Sequence, residues 1–134
     1  MNDAHHQIRL SGDPDFQDRL RRVRARLCRL RINEGRLGET AAFALHAATA
    51  DEIVDIIKAG CCPASAPEAV APNPISLEVQ GDAAERLHDL RGQVIGLGRH
   101  RLNLRSIVHG AIWVASEKND AFFQEVALLL KDEC

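Results

Sequence analysis

Fourteen of the seventeen basic residues in this chain are arginine, and eight of them fall in residues 19–36, where Glu34 is the one acid. A guanidinium is a planar, permanently charged fork that grips a phosphate or a guanine edge through two parallel hydrogen bonds, which a lysine cannot do. The net charge is nonetheless −2, so the chain is not coated in positive charge and any anion binding must be local. A solvated helix face accounts for Arg21, Arg22, Arg24, Arg26 and Arg29 as well as a binding face does, since all five avoid the apolar stripe of their segment.

Other reactive side chains are scattered. His46, His88, His100 and His109 have no carboxylate or cysteine at a ligand spacing, and His5 and His6 fall at a terminus expected to fray. Cys28, Cys61, Cys62 and Cys134 form no CxxC or other metal pattern, and no signal peptide is apparent, which predicts a cytoplasmic protein. No nucleophile elbow, phosphate-binding glycine loop or pair of catalytic acids occurs, and Gly96-Leu97-Gly98 lacks the third glycine and the preceding strand of a dinucleotide site. The expectation is therefore no enzyme, no cofactor and no metal. No membrane span is expected either, because the longest apolar run near the C-terminus is far shorter than the roughly 20 residues a bilayer requires.

The elements that would position these groups recur. When residues 68–134 are laid under residues 1–67, Leu10 meets Leu77, Arg19-Leu20 meets Arg86-Leu87, Leu37 meets Leu104 and Ala44 meets Ala111 without a gap. One register that runs through a strand pattern, two helix patterns and the turn between them predicts a duplicated domain. Each repeat opens on an alternating stretch, Gln7 to Ser11 or Ile75 to Gln80, read as a strand with one polar face. A first helix follows, started by Asp13 and Pro14 or by Asp82 and Glu85, with apolar residues every three or four positions. Glycine and asparagine break it, at Asn33 to Gly35 and at Gly96 to Gly98. Nearly all-apolar second helices run from Leu37 to Ala48 and from Leu104 to Ala115, and Trp113 is read as core. Third helices begin at Thr49, with Glu52 three residues on, and near residues 116–119. The expected organisation is a first repeat over 1–60, a Pro/Ala-rich linker over 61–73 and a second repeat over 74–134. A strand with short helices cannot close a core alone, so the two repeats must share one.

Strand, helix, helix, then the same again, with a polar-outward strand at each head, resembles the ribbon-helix-helix family of DNA-binding proteins, in the tandem single-chain form found among conjugative-plasmid and related transfer proteins. The resemblance covers about residues 6–49 and 74–116. It implies a mainly α fold with a small antiparallel two-stranded ribbon, a monomer acting as a pseudo-dimer, and double-stranded DNA as the partner. The ribbon's outward side chains would read the major groove: Gln7, Arg9 and Ser11 from one strand, Ser76, Glu78 and Gln80 from the other. Gln suits adenine, Arg suits guanine and Ser several acceptors, whereas Glu78 is repelled by phosphate unless it accepts from cytosine N4. The resemblance also implies phosphate grips at the second-helix N-termini, which fall on Gly35, Arg36 and Thr40, and on Asn103, Arg105 and Ser106 with Arg99 and Arg101 just before.

The implied function is a transcriptional regulator or a DNA-transfer accessory factor, with a regulatory or relaxosome protein as a further possible partner. Glu78, the acidic balance and the scarcity of lysine favour a different class, a non-catalytic adaptor or antagonist. It would bind a regulatory protein through the arginine face or through the helix bearing Phe122-Phe123 and Leu128 to Leu130.

Overall fold

A computed structural model describes residues 5–59, 76–98 and 103–132. The linker expected over 61–73, together with Ile75, Arg99 and Arg101, lies outside the described residues. The chain is mainly helical, with one small antiparallel sheet. The order is β1 (His5–Arg9), α1 (Pro14–Arg29), α2 (Leu37–Ala47), α3 (Ala50–Ala59), β2 (Ser76–Gln80), α4 (Asp82–Gly96), α5 (Leu104–Ser116) and α6 (Asp120–Asp132).

Local chemistry sets most boundaries. Asp13 caps α1 by accepting from the Phe16 amide at 3.0 Å, with Pro14 preset for the first turn. Thr49 and Glu52 form a reciprocal box before α3, and Asn119 accepts from the Phe122 amide before α6. The α1–α2 turn depends on Gly35, whose φ is +71° and where a Cβ would lie 2.7 Å from the Arg24 carbonyl oxygen. Only glycine suits both demands.

Two expectations need correction. The first strand is His5–Arg9 rather than Gln7 to Ser11, so His5 and His6 belong to the ribbon backbone. The Ser11 amide instead donates to His109 Nε2 at 2.9 Å, and its hydroxyl accepts from the Asp13 amide at 3.1 Å. At α4 the N-cap is Gly81 and not Asp82, which is the first helical residue. The third helices start at Ala50 and Asp120, just past the expected starts at Thr49 and residues 116–119, and so lie 70 residues apart.

Packing produces one core from both halves of the chain. The ribbon sends Ile8, Leu77 and Val79 inward, and the stripe Phe16, Leu20, Val23 and Leu27 of α1 and Ala83, Leu87, Leu90 and Val94 of α4 joins it. α5 runs through the middle, with every residue from Ser106 to Ala115 buried, which explains why its sequence shows almost no polar face.

Candidate nucleic-acid interface

β1 and β2 pair antiparallel, with His5 opposite Gln80, Gln7 opposite Glu78 and Arg9 opposite Ser76. Alternation then puts Gln7, Arg9, Ser76, Glu78 and Gln80 on one exposed face while Ile8, Leu77 and Val79 anchor the other. Five of the six expected base-reading side chains thus share a surface. Ser11 does not join them, because it has turned off the strand into the start of α1.

The N-termini of α2 and α5 flank this ribbon on opposite sides. α2 comes so close to β2 that a Cβ on Gly38 would lie 3.3 Å from the Glu78 carbonyl oxygen. α5 reaches β1 through Arg105, whose Nε donates to the Arg9 carbonyl at 2.8 Å. Both helix dipoles therefore end beside the ribbon.

The two ends are finished differently. At α5, Asn103 Oδ1 accepts from both the amide and the hydroxyl of Ser106, at 2.8 and 3.1 Å, and Ser106 is buried. At α2 the N-cap is Arg36, a side chain with donors and no acceptor, so no side chain caps the first-turn amides. Glu39 accepts from the Arg36 amide at 3.2 Å, and the Arg36 guanidinium pairs with Glu34 at 2.7 Å in full view of solvent. A cation at a helix N-terminus opposes the dipole unless an anion accompanies it. Thr40 is fully buried, its hydroxyl donating to the Arg36 carbonyl at 2.8 Å, and the Gly35 amide donates to Asn33 Oδ1 at 2.7 Å. Of the expected phosphate set, Arg36 and Arg105 carry the exposed or part-exposed charge, while Thr40, Ser106, Asn103 and Gly35 make internal bonds.

The arginines of α1 turn out to be a clamp. Arg19 lies 4.0 Å over the Trp113 ring and donates to Ser116 Oγ at 2.9 Å. Arg26 and Arg29 both engage Asp120, at 3.0 and 2.9 Å, and Arg26 also donates to the Lys118 carbonyl. Arg24 Nε donates to the Gly35 carbonyl at 2.7 Å. These contacts hold the α5–α6 turn and the α1–α2 turn. Arg21 and Arg22 remain exposed beside Asp18.

Sequence reasoning missed His109. Its Nε2 accepts from the Ser11 amide, so Nδ1 carries the proton and donates to the Arg105 carbonyl at 2.8 Å. Burial pushes its pKa down to about 4, and the nearby Arg105 charge acts in the same direction. A lone histidine in an apolar helix carries no local sign of this role, because Ser11, whose amide it accepts from, lies 98 residues away on the strand-to-helix connector.

Among the described residues no three His, Cys, Asp or Glu side chains come together as a metal ion would need, and no helix is long and apolar enough to cross a membrane. No family model, no curated protein and no solved structure matches this chain.

Proposed function

We propose that this protein binds double-stranded DNA, laying the exposed face of the β1–β2 ribbon into the major groove as a tandem ribbon-helix-helix pseudo-dimer. The observation that carries the reading is the ribbon itself: a two-stranded surface bearing Gln7, Arg9, Ser76, Glu78 and Gln80, flanked by two helix N-termini. A ribbon can enter a major groove, and helix N-termini on either side suit the bordering phosphates.

Internal duplication gains support from contacts as well as pattern. Arg19 and Arg86, 67 residues apart, do the same work on opposite sides: Arg19 holds Ser116 at the end of α5, and Arg86 donates to the Leu45 and Ala48 carbonyls at the end of α2. Arg9 also faces Ser76, the residue 67 places on, as a twofold axis through the ribbon requires. In this reading the protein is a regulator of transcription or an accessory to DNA transfer.

The adaptor reading through the arginine face loses force, because Arg26 and Arg29 are tied to Asp120 within the same chain. Gel-shift titration of selected and random duplexes at two salt concentrations tests the DNA reading. Arg9→Ala should lose roughly 1–3 kcal/mol on the selected site and little on random duplex. Arg36→Ala should weaken both and reduce the salt slope by about one. Arg29→Ala, beside Asp120 past the end of α5 that is remote from the ribbon, is the control. Duplex binding that is absent, or indifferent to Arg9 and Arg36, would end this reading.

A further inference from the structure

The frame that packs α1 on α5 also packs α4 on α2, yet the side chains at the two junctions differ greatly in volume. At the first, Phe16 stacks on His109 with ring centroids 4.6 Å apart, and Arg19 covers Trp113. The positions 67 residues away from Phe16, His109 and Trp113 hold Ala83, Ala42 and His46. Where the first junction is filled with rings, the second leaves an open groove of about 910 Å³.

Its floor is apolar, made by Phe43, Ala83 and Val126, and Ile32, Leu129 and Leu130 wall it. Leu128 and Leu129 of α6 are 63% and 65% exposed, so the apolar wall continues out to the surface. One long side is acidic. Asp82, Glu85 and Asp89 project from one face of α4 at the helical repeat, with Glu39 of α2 nearby. None of the three α4 carboxylates joins an ion pair among the described residues. Arg86 also lines the groove, but its donors are directed to the Leu45 and Ala48 carbonyls.

From this geometry we infer that the groove between α2, α4 and α6 docks a basic amphipathic segment of a partner protein, which inserts a bulky apolar side chain over Ala42 and Ala83. An apolar floor with a row of exposed carboxylates selects such a segment twice over: the anchor removes apolar surface from water, and arginines or lysines meet the row. The same row repels phosphate, so nucleic acid is excluded. The groove reaches Gln80 at the end of β2, but its apolar floor and acidic row do not depend on whether the ribbon reads DNA.

The test uses the full chain and a fluorescein-labelled peptide of leucine and arginine at helical spacing with one central phenylalanine, followed by anisotropy. Its twin carries glutamate for arginine. The arginine peptide should bind and the glutamate peptide should not. Filling the groove with Ala42→Phe/Ala83→Phe should lower affinity roughly tenfold or more, as should neutralising the row with Asp82→Asn/Glu85→Gln/Asp89→Asn. The neutralised variant changes only exposed side chains, so it remains informative if the filled variant does not fold. Equal binding of both peptides, or unchanged affinity in the neutralised variant, would overturn the proposal. So would sedimentation showing that the wild-type chain pairs with itself through this groove, in a manner the filled variant loses.

Discussion

The α1–α5 and α4–α2 junctions are two solutions to one packing problem. In the first, Phe16, His109 and Trp113 occupy the space between the helices, and His109 reaches the backbone of the strand connector. In the second, Ala83, Ala42 and His46 leave that space open to solvent. The ribbon registers the difference. β2 runs into α4 with Gly81 as the only intervening residue, whereas Leu10 to Asp13 separate β1 from α1. Both strands are five residues long, but the longer connector after β1 is fixed by the Ser11 amide donating to His109. One frame thus carries a rigid end and an open end, and side-chain volume at three positions decides which is which.

The sharpest way to break this comparison is to empty the filled junction. Phe16 is fully buried, so Phe16→Ala should cost on the order of 3–5 kcal/mol, the transfer loss plus a cavity beside His109. On the open side Leu129→Ala should change stability by less than about 0.5 kcal/mol, since that side chain is already 65% exposed. Urea midpoints would measure both. Similar losses at the two sites would mean that the groove is no less consolidated than the ring-filled junction.

A second contrast is set by pH. His109 is neutral in the folded protein, with its pKa held down to about 4 by burial, and its counterpart Ala42 cannot titrate. Between pH about 6.5 and about 4 the unfolded chain binds a proton that the folded chain refuses. Stability from this group is therefore complete above about 6.5 and declines as pH falls to about 4, by on the order of 3 kcal/mol in total. Below that range its contribution is constant. Subtracting the pH profile of His109→Gln from that of the wild type should expose this slope, and identical profiles would contradict the neutral, buried imidazole.

How much of this was legible depended on whether the information was local. Asp13 with Pro14, Thr49 with Glu52, and the buried stripes of α1 and α4 are written within a few residues of where they act, and the structure follows them. Alternation of polar and apolar residues made the two one-sided strands legible, whereas their antiparallel pairing was expected only from the ribbon-helix-helix resemblance. What could not be read is long range. Arg19, Arg26 and Arg29 look like a free basic face, yet their partners lie 91–97 residues away in the α5–α6 turn. Ser11 continues the polar alternation of β1 but is drawn off by His109, 98 residues on. The groove was invisible for the same reason: it is defined by residues that are small relative to counterparts elsewhere in the chain.

The smallest expected effect concerns the ends of the first helices, where the two halves are most alike. Leu30 closes α1 by donating to the Arg26 carbonyl at 2.9 Å, and Leu97 closes α4 by donating to the Gln93 carbonyl at 3.1 Å. The next amides, of Arg31 and Gly98, donate to Cys28 and Ile95 at 3.1 and 2.9 Å, again 67 residues apart. Both residues then take a positive φ, +59° at Arg31 and +92° at Gly98. That conformation crowds the Cβ of any L-residue against its own carbonyl, and glycine escapes the penalty. Arg31 is exposed, so its side chain gains little packing to offset the strain. Arg31→Gly should therefore stabilise the protein by about 0.5–1 kcal/mol, reduced from the full steric penalty by the added freedom of glycine in the unfolded chain. Gly98→Ala should destabilise by a similar amount. Opposite shifts in thermal midpoint would sharpen the match between the two helix ends; a destabilised Arg31→Gly would show that the arginine is held there by more than its backbone.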